Sequence, residues 1–112
     1  MLKDMTAKQI VSCAADYIEK NGLLKGDYWT YDEESYPVPN GPCCTMGALR
    51  TCASTDRYPP NIWNRGSLEA ALRAVEARLS GRTVPEWNDD PGRTQEEVVS
   101  TLREVANSMP DE

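Results

Sequence analysis

The stretch Thr83 to Leu102, TVPEWNDDPGRTQEEVVSTL, constrains this chain more than any other. It holds a large aromatic, an Asn-Asp-Asp run, a Pro-Gly breaker and a helix start. Pro85 fixes the backbone angle on the approach to Trp87, the largest apolar side chain here. Asn88, Asp89 and Asp90 are the residue types that bond their own backbone in Asx-turns, and Pro91-Gly92 stops a helix from running through. Thr94 then opens a helix, with Glu97 three residues on to complete a capping box. The reading is architectural: Trp87 is an interior plug, and its polar neighbours bend the chain into a final helix.

The same residues carry a resemblance. Trp87-Asn88-Asp89, Pro91-Gly92-Arg93-Thr94 and Glu96-Glu97-Val98 resemble the C-terminal signature of a family of small domains from actinobacteria and their phages. An opening helix that ends near Gly22 and a central Cys44-Thr45-Met46-Gly47-Ala48-Leu49 extend the likeness over most of the chain. The resemblance implies a helical fold and a bacterial or phage source. It implies no reaction and no catalytic residue, because that family has no assigned function.

Periodicity supplies the rest of the fold. Thr6 and Gln9 form a capping box ahead of a helix over 7–21, with Ile10, Val11, Ala14, Tyr17 and Ile18 as its apolar stripe. Gly22 closes it in a left-handed position. Residues 23–41 read as an extended loop or a small hairpin, since Pro37, Pro39, Asn40 and Gly41 exclude regular structure. Pro42 at a first helical position opens a second helix over 42–53, with Cys44, Ala48, Leu49 and Cys52 on one face. Gly47 weakens that helix and suggests close packing of another helix there. Ser67 caps a third helix over 68–80, with Leu68, Ala71, Leu72, Val75 and Leu79 inward and Gly81 ending it. The last helix spans 95–107 and buries Val98, Leu102, Val105 and Ala106. Four amphipathic helices with short connections predict a mainly α, compact antiparallel bundle, and 112 residues suit one domain.

Composition narrows the function classes. With 12 basic and 18 acidic residues the net charge is −6, which argues against nucleic acid and anionic membranes as partners. No apolar run approaches the roughly 20 residues of a spanning helix, and Met1 to Met5 carry no signal-like apolar run. A soluble cytoplasmic protein is therefore expected, with Cys13, Cys43, Cys44 and Cys52 reduced. The chain has no histidine. That removes Ser-His and Cys-His catalysis and the commonest metal ligand. The cysteine spacing is not that of a zinc knuckle, so no metal or cofactor is expected.

Two surfaces remain. Residues 27–36, DYWTYDEESY, interleave aromatics with acids. Tyr28, Trp29, Tyr31 and Tyr36 are anchor types for a protein partner, and the acids suit a basic one. Tyr58 and Trp63 in the second loop extend that surface. The bland alternative has Trp29 and one Tyr covering the bundle while the acids face water. The preferred reading is a non-enzymatic interaction module that binds an unidentified protein, a host protein if the chain is phage-borne. Self-association through an apolar helix face is a further reading. The competing class is a cysteine-dependent enzyme or small-ligand binder using Cys44 with the Asn88-Asp89 turn. Cys43 and Cys44 fall in the first turn expected for the second helix, where N–H groups and the dipole stabilise a thiolate. Burial of both thiols is the simpler expectation. An Asn88-Asp89 turn lining a pocket beside a thiol would reopen the catalytic reading.

Overall fold

The computed structural model describes residues 6–27, 29–31, 33–34, 41–53 and 65–110. Among them the chain forms five helices: α1 (Ala7–Asn21), α2 (Thr45–Ala53), α3 (Arg65–Glu76), α4 (Val84–Asn88) and α5 (Gln95–Ser108). The mainly α bundle expected from periodicity is the fold observed, with one more helix.

α1 is the central element and packs against α5, α2 and α3. Its start follows the capping box: Thr6 Oγ1 accepts from Gln9 N at 3.2 Å, and Gln9 Oε1 accepts from Thr6 N at 2.9 Å. Ile10, Val11, Ala14, Ala15 and Ile18 are buried. Tyr17 lies at the margin and donates its hydroxyl to Gly41 O at 2.9 Å. Gly22 ends α1 at φ 107, and a Cβ there would meet Pro42 at 3.4 Å. The backbone angle favours glycine there, while the contact with Pro42 is an ordinary one. On α5, Val98, Leu102, Val105 and Ala106 are buried as expected, joined by Val99. Burial on this scale, at roughly 25 cal/mol per Å² of apolar area, is what holds short helices together.

Several boundaries differ from the sequence reading. The sequence reading assigned no helix to residues 83–88, yet the segment contains a second full capping box. Thr83 Oγ1 accepts from Glu86 N, and Glu86 Oε1 accepts from Thr83 N, which starts α4 with Pro85 in its first turn. Trp87 on this helix is 6% exposed, so it is the interior plug expected. α2 starts at Thr45 rather than at residue 42, because residues 42 and 43 are held in extended pairing instead. Leu24 N donates to Cys43 O, Cys43 N to Gly22 O and Thr30 N to Pro42 O. The choice between loop and hairpin for 23–41 falls partly on residues 35–40, outside the described residues. α3 starts at Arg65, so Ser67 lies inside it and does not cap it. It ends at Glu76 rather than at residue 80, and a tighter turn follows, with Arg78 N to Val75 O and Leu79 N to Glu76 O, before Ser80 and Gly81 reverse the chain at positive φ. At α5, Thr94 Oγ1 accepts from Glu97 N at 3.1 Å, but Glu97 pairs with Arg93, leaving half of the expected box.

The cysteines depart most from expectation. Cys13 on α1 and Cys52 on α2 form a disulfide with Cα atoms 5.9 Å apart, so the four are not all reduced thiols. Compartment reasoning failed here because it ignores which helix faces meet. The loop closed spans a sequence separation of 39. Chain-entropy reasoning assigns such a cross-link up to roughly 4 kcal/mol. Unfolded protein should therefore show two labelled thiols without reductant and four with it. Reduction, or the pair Cys13→Ser and Cys52→Ser, should lower the free energy of unfolding by about 2–4 kcal/mol in urea titrations.

Candidate functional site

The residue that gathers the most separate stretches of chain is Asn88, at the end of α4 and fully buried. Its Oδ1 accepts from Thr45 N at 2.8 Å and from Thr45 Oγ1 at 2.6 Å. Its Nδ2 donates to Leu24 O and to Asp89 Oδ1, both at 3.0 Å. The amide orientation is fixed by its partners, since Thr45 N can only donate and Leu24 O can only accept. Asn88 was expected to bend its own backbone. It instead caps another helix: Thr45 N is an orphan donor of the first turn of α2. Asp90 makes the Asx-turn, accepting from Gly92 N at 3.0 Å. That bond and the Arg82 guanidinium hold its carboxyl below the ordinary value. Asp89 reaches outward from the same turn and accepts from Gly26 N at 3.0 Å, while Lys25 donates to Asp90 O at 2.7 Å.

This network creates a small cleft of about 170 Å³ lined by Gly26, Asp27, Cys44, Pro85 and Asp89. Cys44 and Asp89 are thus brought together, as the catalytic reading required, whereas Asn88 is not part of the lining. The electrostatics run against a nucleophile. Cys44 Sγ accepts from Gly47 N at 3.3 Å and serves as a cap for α2. Burial raises the Cys44 thiol above its ordinary value. The backbone bonds from Gly47 and Met46 pull it back, and the Asp89 carboxylate raises it further. The helix N-terminus therefore acts as the sequence suggested, but desolvation outweighs it. Cys43 is completely buried and its thiol is pushed up to about 12, first by burial and then by Cys44. Among the described residues no group of three Cys, Asp or Glu side chains is placed to hold a metal ion.

The aromatic surface divides. Trp29 is half-buried against the core, and its indole N–H donates to Thr51 Oγ1 at 2.9 Å and to Gly47 O at 3.3 Å. Trp29 cladding α2 matches the bland alternative. Tyr31 is 40% exposed, the exposed large hydrophobic among the described residues. Tyr28, Tyr36, Tyr58 and Trp63 lie outside the described residues. Sequence reasoning missed two further features. A groove of about 500 Å³ is lined by α5 residues, among them Glu96, Val99, Arg103 and Glu104, together with Glu19 of α1. A smaller cavity is lined by Arg78, Arg82, Arg93 and Trp87. Neither has a local sequence signal, because each joins residues from separate elements.

Two outcomes follow from this geometry. Asn88→Ala strands Thr45 N and Leu24 O in a buried setting and should destabilise by roughly 3 kcal/mol or more. Asn88→Asp should do no better, since its second oxygen would face Leu24 O and Asp89; both are measurable by thermal and urea unfolding. Cys43 and Cys44 should resist thiol reagents in the native protein at neutral pH. The folded value for Cys43 lies above the ordinary thiol value, so the unfolded state loses its proton first. Stability tied to that thiol should be intact below about pH 8.5 and fall as pH rises towards 12. A flat urea midpoint between pH 8 and 11 would contradict this.

No helix among the described residues is long and apolar enough to cross a membrane. Neither the curated proteins nor the solved structures gave a match to the chain. A family model does match, over residues 2–108, and the chain accordingly belongs to a family of unknown function, DUF6197.

Proposed function

We propose that this chain is a small acidic protein-interaction module that works through the segment 27–36. One observation carries the reading: Trp29 is bolted to α2 by two hydrogen bonds, and two residues later Tyr31 is exposed to solvent beside the exposed acids Glu33 and Glu34. An aromatic on a pinned segment offers contact area at low entropic cost, which is how interface anchors work. Trp29 positions this surface, whereas Tyr31 touches the partner. Tyr28, Tyr36, Tyr58 and Trp63 complete the proposed set. The net charge of −6 favours a basic partner. Following the likeness to domains of actinobacteria and their phages, the proposed partner is a host protein and the chain a phage protein. A cytoplasmic setting is part of this proposal; the Cys13–Cys52 disulfide, a bond that oxidising compartments favour, runs against it.

A second reading, a cysteine-dependent enzyme or small-ligand binder, is favoured by the cleft that Cys44 shares with Asp89. It is opposed by the raised thiol value, which leaves little thiolate at neutral pH.

Affinity purification from host cells with wild-type protein and Tyr31→Ala tests the first reading. The variant should keep its melting temperature and lose about tenfold in partner capture, the cost of one aromatic anchor. Equal recovery of every co-eluting protein by the two forms would sink it. A second copy of the chain as the partner would appear as a dimer in light scattering.

A further inference from the structure

Beyond the aromatic segment, the end of α3 carries a feature out of keeping with an acidic chain. Arg78, Leu79, Ser80, Arg82, Trp87 and Arg93 line a cavity of about 210 Å³, and no carboxylate lines it among the described residues. Three guanidinium groups around one small cavity stand out in a molecule with 18 acidic residues against 12 basic ones. The positive-φ pair Ser80 and Gly81 turns the chain so that Arg78 and Arg82 reach the same cavity from either side. Arg93 comes from the loop before α5. It is held firmly: its Nε donates to Trp87 O at 2.9 Å, and its guanidinium lies 4.6 Å from the centre of the Trp87 ring. Its side chain is only 13% exposed.

We propose that this cavity is an oxyanion site that takes a phosphate group, free or as a small phosphomonoester, on Arg78, Arg82 and Arg93. Arg78 gives one N–H to Glu104 at 2.8 Å, and Arg82 gives one to Asp90 at 3.1 Å. A guanidinium has five N–H donors in a planar fork, so Arg78 and Arg82 keep donors for a ligand, whereas Arg93 already donates to Trp87 O and Glu97 and contributes chiefly its charge. Glu104, Asp90 and Glu97 hold the three groups in place without lining the cavity. They also offset much of the local positive charge, Asp90 lying 3.9 Å from Arg93 as well as 3.1 Å from Arg82, so the affinity expected is in the millimolar range rather than tighter. The volume falls below the roughly 300 Å³ of sites for drug-sized ligands, which selects one compact group. Leu79 and Trp87, both nearly buried, complete the lining beside the three guanidinium groups, whose bonds to an oxyanion are charge-assisted. Phosphate suits three guanidinium groups better than a carboxylate does, because it presents more oxygens and more charge.

Titration of isotope-labelled protein with inorganic phosphate, with chloride adjusted to constant ionic strength, tests the site. Saturable shifts of the Trp87 indole N–H, the Arg93 Nε–H and the amides of residues 79–82 are expected, with a Kd on the order of 1 mM. Arg82→Gln, at an exposed position, should weaken binding about tenfold while leaving the rest of the spectrum in place. If that variant does not fold, Arg78→Gln gives the same reading. A parallel titration with glycerol 2-phosphate separates the two sources: equal binding assigns a monoester, and loss of binding assigns free phosphate. Shifts that chloride reproduces, that never saturate, or that survive both substitutions in folded protein would overturn the proposal.

Discussion

A buried amide that reaches three stretches of chain has no intermediate state worth occupying. Asn88 makes four hydrogen bonds, to Thr45 twice, to Leu24 and to Asp89. Thr45 begins α2, Leu24 lies in the segment after α1, and Asp89 leads to α5. None of these groups can be left dry and unpaired without a cost comparable to a sizeable share of the net stability of a small domain. The polar hub therefore dictates how the segment 23–27, α2 and α4 sit together. The apolar interior supplies the driving force but not that choice, because burial is non-directional. Asp89 extends the arrangement to Gly26, and Lys25 ties the same strip to Asp90.

The cysteines show how tertiary placement separates four chemically identical side chains. Cys13 and Cys52 meet across α1 and α2 and are cross-linked. Cys44 turns its sulfur to Gly47 N and does the work of a capping hydroxyl. Cys43 lies in the extended pairing with Leu23 and Trp29, with its thiol in the core. Reactivity requires a thiolate, and a thiolate requires solvation or positive charge nearby. Cys44 has neither in sufficient measure, and Asp89 beside it works the other way. The cleft that unites them has the right residues with the wrong electrostatics for nucleophilic attack.

Charge is also distributed with more order than the net value of −6 conveys. Arg103 bridges Asp16 and Glu19, joining α5 to α1 at their exposed faces. Arg93 covers the Trp87 ring and pairs with Glu97. Surface pairs of this kind contribute little to stability individually. Their visible effect is positional: they fix guanidinium groups whose remaining donors face cavities or solvent. The plug at Trp87 and the arginine-lined cavity are thus one construction seen from inside and outside.

What is local was legible in the residues themselves. The Thr6-Gln9 box and the stripe from Ile10 to Ile18 determined α1 to the residue, and the stripe from Val98 to Ala106 determined the inward face of α5. The Thr83-Glu86 box was equally local and was passed over, Pro85 being read only as fixing the approach to Trp87 although proline is well suited to a first helical turn. The beginning of α2 was not legible, because Asn88, 43 residues further on, helps to cap it. A comparable distance hid the Cys13–Cys52 bridge and the cleft at Cys44, and the cavity at Arg78, Arg82 and Arg93 was hidden because those residues come together only once the turn at Ser80 and Gly81 has formed. The amino-acid order by itself determined where helices form and which faces are apolar, since capping and periodicity act within a few residues. Only the tertiary structure decided which polar groups meet, because those contacts exist only after the apolar faces have packed and brought distant residues within bonding range.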